Sequence, residues 1–239
     1  PELWEGADKN KDQSYFLARI SKKQLEKARF PIGEMPKPRV RQIAREFNLP
    51  GAEKKDSQGI CFLGKVKISE FLSNFLEDKP GEIVTTHGSV VGEHKGLHRY
   101  TLGQRRGIGV PSNTDHENFV VTGKDEGNNQ LIVAFESEKE STLWGKRFEI
   151  ESLSFLTDSP PVSPTRLLGK VRYRDPSVSL LFRPLGMSKA EIVFDQPQRA
   201  ITPGQVLALY EEERLIGGGT YCLSELGRAD QSLIHEISA

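Results

Sequence analysis

The feature that most constrains this chain is a change of apolar period at Lys79-Pro80-Gly81. Before it, the spacing is helical: Val40, Ile43, Ala44 and Phe47 fall at i, i+3, i+4 and i+7. Ile68, Phe71, Leu72, Phe75 and Leu76 repeat that spacing and predict a further amphipathic helix, which the Pro-Gly pair ends. Pro38 suits the first turn of the helix containing Val40. Ser21 with Gln24 is a capping-box pair that opens a helix over Lys22–Arg29.

After Gly81 the period is two. Glu82–Val84, Ser89–Val91, Phe119–Thr122 and Leu131–Phe135 read as short strands, with Gly127-Asn128-Asn129 as one of the turns. A second β segment starts near Arg147, with strands over Phe148–Phe155, Leu167–Arg174, Val178–Phe182, Ala190–Phe194, Gln205–Tyr210 and Leu215–Thr220. Closely spaced strands with no helix between them predict a small barrel or sandwich. Gly103 to Asn118 reads as a long, glycine-punctuated loop that is mobile in the free protein. The stretch after Leu223 is polar and reads as a loosely held tail.

Composition removes several classes. The 239 residues are 36% hydrophobic and 28% charged, the profile of a globular chain of one or two domains. No apolar run is long enough for a membrane helix, and no signal peptide is visible, so no membrane partner is expected. Thirty-three basic residues against thirty-three acidic ones argue against a polybasic nucleic-acid binder, although Lys37–Arg41, Arg99–Arg106 and Lys170–Arg174 are local basic clusters. Two cysteines are too few for a disulfide framework, so a reducing compartment is expected. Pro1-Glu2-Leu3-Trp4 has neither an initiator Met nor a helix cap and reads as a cut inside a longer protein.

Few residues invite chemistry. Cys61 follows Lys54-Lys55-Asp56-Ser57-Gln58-Gly59-Ile60, where two lysines could favour a thiolate; packing with Ile60 and Phe62 is the competing reading. Cys222, after Gly217-Gly218-Gly219-Thr220-Tyr221, reads as structural, and the triple glycine as a tight turn or close backbone approach. His94 and His98 have helix-face spacing, but Gly96 and the strand context argue against a metal site. There is no Ser-His-Asp pattern, P-loop or dinucleotide fingerprint. Lys11-Asp12-Gln13-Ser14-Tyr15-Phe16-Leu17 and Arg172-Tyr173-Arg174 mix cations, amides and rings, which suits either RNA recognition or a surface ion-pair network.

Several strings occur in a telling order: Lys11-Asp12-Gln13-Ser14-Tyr15-Phe16-Leu17, Phe30-Pro31-Ile32-Gly33, Lys55-Asp56-Ser57-Gln58-Gly59-Ile60-Cys61-Phe62, Thr101-Leu102-Gly103-Gln104-Arg105 and Thr202-Pro203-Gly204-Gln205. Together they resemble the tRNA-specific 2-thiouridylase family (the MnmA/TrmU family), from about residue 5 to residue 222. The resemblance implies an α+β chain: a helical remnant of a PP-loop α/β adenylation domain over 1–62, a small central α+β domain over 63–143, a C-terminal six-stranded antiparallel β-barrel over 144–223, and the tail 224–239. It implies a sulfurtransferase that uses ATP and Mg2+ to convert the wobble uridine of tRNA to 2-thiouridine with persulfide sulfur. Cys61 would be the persulfide carrier, able to form a transient disulfide with a cysteine preceding residue 1. Lys11, Asp12, Gln13, Arg172, Tyr173 and Gln205 would contact tRNA, and the loop residues Gln104, Arg105 and Arg106 are further candidates.

The family's PP-loop and ATP site would lie before residue 1, so the chain alone is expected to bind no cofactor and to be inactive. Its expected partners are the tRNA anticodon arm and a persulfide donor protein. It is expected to be monomeric and cytoplasmic, with a mitochondrion or plastid as alternatives. The rival from another class is a stand-alone RNA-binding barrel without catalysis; a persulfide adaptor with no RNA role would leave Arg172 and Tyr173 unexplained.

Overall fold

The structure, a computed structural model, describes residues 1–54, 71, 74–111, 118–135 and 143–222. The chain divides into two units, one made of Pro1–Lys54 with Gly145 onward, the other of Lys55–Trp144. Among the described residues, no helix is long and apolar enough to cross a membrane.

In the first unit, β6 (Trp144–Phe155), β7 (Thr165–Lys170), β8 (Val178–Pro184), β9 (Lys189–Arg199), β10 (Val206–Glu211) and β11 (Arg214–Tyr221) form a closed antiparallel barrel. Its order is β11-β10-β7-β8-β9-β6, and β6 pairs back onto β11. Of the two architectures left open by the strand spacing, the chain therefore adopts the barrel. Ile150, Leu180, Phe182, Ile192, Phe194, Leu207, Leu209 and Ile216 fill its core. Full burial stabilises each such side chain by about 1.5–3 kcal/mol relative to exposure. The triple glycine lies at the closing seam. A Cβ on Gly217 would sit 2.1 Å from the Ser154 carbonyl oxygen, and one on Gly218 2.5 Å from that of Leu207. Of the two readings of the glycine run, a tight turn or a close backbone approach, the structure has the second, and Gly217 also has φ +150°.

The N-terminal segment lies on the outside of that barrel. β1 (Leu3–Trp4) pairs with β11 through Leu3 and Leu215. A 3-10 turn, Ser14–Leu17, and helices α1 (Lys22–Lys27) and α2 (Lys37–Glu46) follow. Leu3, Ala18 and Leu25 bury themselves against Leu156, Ala208, Tyr210 and Leu215. Residues 3–28 thus share a core with the barrel, whereas α2 buries no residue. β10 is consequently buried on both faces, with Leu207 and Leu209 inside and Ala208 and Tyr210 under the segment, which accounts for its unbroken apolar run.

Both caps lie where the pattern places them. Ser21 accepts from the Gln24 amide while the Gln24 side chain accepts from the Ser21 amide. Pro38 sits in the first turn of α2. α1 stops at Lys27, two residues short of the expected end, because Ala28 is extended and the Arg29 guanidinium donates to the Glu26 and Ala28 carbonyls. Most of the helix expected around Ile68–Leu76 lies outside the described residues.

The second unit is a mixed four-stranded sheet in the order β3-β2-β5-β4: β2 (Gly81–Thr85), β3 (Val90–His94), β4 (Phe119–Asp125) and β5 (Gln130–Phe135). β2 and β5 are parallel, and the other pairs are antiparallel. Ile83, Val121, Leu131 and Val133 form its core with Tyr100 and Ile108.

Ile108 corrects the expectation of a wholly mobile loop. It is buried, and the Gly103 amide donates to the Val121 carbonyl while the Val121 amide donates to that of Gln104. Residues 103–111 are therefore laced to β4, with positive φ at Gly103, Gly107 and Gly109 providing the tight path. The remainder of the loop up to Asn118 lies outside the described residues.

Candidate nucleic-acid interface

Three of the strings singled out in the sequence converge on the first unit. Lys11-Asp12-Gln13 leads into the 3-10 turn Ser14–Leu17, Arg172 and Tyr173 follow β7, and Gln205 precedes β10. Two contacts tie them together. The Phe16 and Tyr173 rings are 4.6 Å apart between centroids, and the Tyr15 hydroxyl donates to the Val206 carbonyl at 2.9 Å.

Within this face the candidates have different duties. Lys11 and Gln13 are exposed, and Tyr173 is half-buried. The Arg172 guanidinium donates to the Arg199 and Ala200 carbonyls at 2.6 and 2.7 Å, with Asp175 3.6 Å away. Those bonds hold the guanidinium itself against the backbone at the end of β9. Gln205 is half-buried, and its side-chain oxygen accepts from the Thr202 amide at 3.3 Å, inside the turn that starts β10.

Asp12 is buried. Its carboxylate accepts from the Gly6 amide at 3.0 Å and from the Ser14 amide and hydroxyl at 3.2 and 2.8 Å. Lys170 Nζ bridges it to Glu5, 3.3 Å from Asp12 and 2.6 Å from Glu5. Because the Ser14 hydroxyl spends its proton on Asp12, the Tyr210 hydroxyl 2.9 Å away must donate to Ser14. Burial pushes the Asp12 pKa up, but the bonds from Gly6 and Ser14 and the charge of Lys170 outweigh it and leave the group below its usual value. Burial likewise raises the Tyr210 phenol, which keeps its donor proton. Asp12 thus acts as an interior brace in this structure, with no acceptor facing outward on the strength of its bonds.

Sequence reasoning did not find Glu5, Ser14, Lys170 and Tyr210 as the partners of that brace. A half-buried Lys between two carboxylates has no one-dimensional signature, because its partners lie 165 and 158 positions away along the numbering. Phe16 was visible only as a letter in a string; its exposure, 60%, is a tertiary fact.

Three family models match successive parts of the chain. They are a tRNA methyl transferase HUP domain over residues 1–65, a tRNA methyl transferase PRC-barrel domain over 69–135, and an aminomethyltransferase β-barrel domain over 145–221. The tRNA-specific 2-thiouridylase MnmA of Geobacillus thermodenitrificans is 43% identical over 219 residues, covering 92% of this chain and 58% of the relative. That of Neisseria meningitidis is 45% identical over 217 residues, covering 91% and 58%. That of Proteus mirabilis is 42% identical over 220 residues, covering 91% and 60%. The chain belongs to the tRNA-specific 2-thiouridylase family. It spans about three-fifths of the length of these relatives.

For a 2-thiouridylase-family chain, the remaining candidates stand as follows. Cys61 lies outside the described residues. Gln104 spends its amide internally, accepting from the Thr101 amide at 3.0 Å and donating to the Arg106 carbonyl at 2.9 Å; Arg105 and Arg106 are exposed. Cys222 is half-buried, and burial, then Glu151 and Glu149, hold its thiol above the usual value and so protonated. His94 Nε2 is 3.0 Å from the Asn129 carbonyl, and His98 Nε2 is 3.4 Å from Asp78. Among the described residues, no group of three His, Cys, Asp or Glu could hold a metal ion.

The described residues also do not fit ATP and Mg2+. The α1 N-terminus is closed by its own Ser21 and Gln24, and no glycine-rich loop precedes either helix.

Proposed function

We propose that this chain is the RNA-gripping and sulfur-carrying part of a tRNA 2-thiouridylase, which transfers persulfide sulfur to C2 of the wobble uridine. The single observation that carries this reading is the convergence of Lys11–Leu17, Arg172–Arg174 and Thr202–Gln205 on one ring-bearing, cationic face of the barrel unit. Guanidinium and ammonium groups hold phosphates, and rings take splayed bases, which is how single-stranded RNA loops are bound.

In this reading Lys11, Gln13, Arg172, Tyr173 and Gln205 meet the anticodon arm, and Arg105 and Arg106 add contacts from the second unit. Asp12 serves from within by holding Lys11 and Gln13 in place. Cys61 carries the persulfide, loaded by a donor protein, with Lys54 close by in sequence to favour the thiolate. ATP and Mg2+ enter through the family alone, to activate the uridine oxygen that sulfur replaces.

The test is nucleoside analysis of tRNA from cells whose own 2-thiouridylase is replaced by the intact protein bearing Cys61→Ser. That protein should bind tRNA and leave 2-thiouridine absent. Normal 2-thiouridine would refute the carrier role of Cys61, whereas wild-type protein that binds tRNA but restores no 2-thiouridine would favour a stand-alone RNA-binding barrel.

A further inference from the structure

Phe16 is out of place for a structural residue. Its neighbours Tyr15, Leu17 and Ala18 pack into the core beneath β10, whereas Phe16 keeps 60% of its surface in solvent. It meets Tyr173 at 4.6 Å with the ring planes 44° apart, which leaves a wedge instead of a closed stack. Tyr15 meets Phe16 edge-on at 5.5 Å and is tied to the barrel through its hydroxyl, so Phe16 has a rigid support on its inner side.

Arg174 supplies a second, independent oddity. The Asp175 amide donates to the Arg172 carbonyl at 3.1 Å, closing a turn in which Arg174 is the third residue with φ +73°. That position usually belongs to glycine, because a side chain there crowds its own backbone. An arginine in a strained backbone position that its fold does not require points to a use for its side chain. Its guanidinium lies 5.3 Å from the Tyr173 ring centroid and has no carboxylate partner among the described residues. The only acid in this turn, Asp175, is engaged with Arg172.

We propose that Phe16, Tyr173 and Arg174 form a stacking step for one unpaired RNA base, with the base on the exposed Phe16 ring and Arg174 against the adjoining phosphate. The proposal rests on the RNA reading given above and adds to it the groove that receives a base. The chemistry favours RNA over a protein partner. Exposed Lys11, Gln13 and Arg19 belong to the same segment as Phe16, and rings beside cations match the alternating bases and phosphates of a single strand. Tyr173 gives the step its wall, and Phe16 supplies the free face.

Full-chain protein is titrated with a 17-nucleotide anticodon stem-loop carrying 2-aminopurine at each loop position in turn, read by fluorescence quenching and by affinity. Wild type should quench the probe strongly at one loop position. Phe16→Leu should abolish that quenching and weaken binding about five- to a hundredfold, equally at low and high salt, because stacking is not screened. Phe16→Trp should restore both. Arg174→Gly should lose affinity at low salt and converge on wild type at high salt, while keeping its melting temperature. Both variants are at exposed positions, and an unchanged far-UV spectrum confirms that they fold. If wild type binds and Phe16→Leu binds and quenches as well as wild type, the stacking step is wrong while the RNA reading stands. If wild type binds neither the stem-loop nor intact tRNA, both fail and the rings become a protein-docking surface.

Discussion

Lys170 and Asp12 are 158 residues apart in sequence and 3.3 Å apart in space, the carboxylate buried and the ammonium half-buried beside the segment that carries Phe16. This ion pair joins the end of β7 to the loop that begins the string Lys11–Leu17. The same ammonium lies 5.2 Å from the Tyr210 ring centroid and 2.6 Å from Glu5, so both the position of the loop and the outer face of β10 depend on it.

Asp12→Ala should therefore destabilise the first unit by about 3 kcal/mol, since it strips two amides and a hydroxyl of their acceptor and leaves Lys170 with Glu5 alone. Chemical denaturation of wild type and variant gives the number. Because the folded pKa of Asp12 is depressed, its contribution is complete above the unfolded value of about 3.9 and is lost as pH falls through the folded pKa. The gap between wild type and variant should accordingly shrink below about pH 4. A gap that stays constant down to pH 2.5 would contradict the ionised brace.

Gly217→Ala should open the barrel seam. The new methyl would collide with the Ser154 carbonyl and the Phe155 Cα, and the backbone there sits at φ +150°. Since neither neighbour is a flexible tip, the loss should be at least about 3 kcal/mol, seen as a lower denaturation midpoint. Gly186→Ala is the control, with φ +102° but open space around it, and should cost about 1 kcal/mol. Equal losses at the two sites would mean that strain, not the seam contact, decides.

The two cysteines should behave oppositely. Burial and nearby Glu151 and Glu149 hold the Cys222 thiol protonated, so iodoacetamide at pH 7.5 should modify it slowly. Cys222→Ser should leave tRNA thiolation by the intact protein within about twofold of wild type, since one mildly buried sulfur is exchanged for oxygen. Cys61 should alkylate faster, with activity falling in step with its modification. Protection of activity by Cys222→Ser during alkylation would reverse the assignment.

Charge should act locally in RNA binding, because 33 basic and 33 acidic residues cancel overall. Replacing both Arg105 and Arg106 with Gln should reduce the slope of log affinity against log salt by up to about 2 and leave folding unchanged, as both are exposed. Tyr173→Ala should cost about 1–3 kcal/mol of stem-loop affinity with that slope unaltered. A salt-independent affinity in wild type would rule out phosphate contacts at either place.

Much of the fold was legible in the chain because it rests on local rules. The Ser21–Gln24 box, Pro38 in the first turn of α2 and the two-residue period from Gly81 onward each act over a few positions. The glycine run at 217–219 pointed to a close backbone approach, although not to which strand approaches. The 103–118 stretch reads from its glycines as mobile, yet in its described part, 103–111, Ile108 is an anchor, since one buried side chain outweighs the flexibility that composition suggests.

What the sequence determined by itself was the set of elements and the strings that mark the family, because periodicity, caps and turn residues act between near neighbours. Only the tertiary structure decided that residues 3–28 share a core with the barrel, that Asp12 braces from inside while Phe16 stays in solvent, and that β10 is covered on both faces. In the string from Lys11 to Leu17, polar Asp12 goes in and apolar Phe16 stays out, the reverse of what hydropathy assigns. The reason is physical. A carboxylate can be buried when donors satisfy it, here Gly6 and Ser14 nearby and Lys170 from 158 positions away, and a ring can be left in water when nothing folds over it.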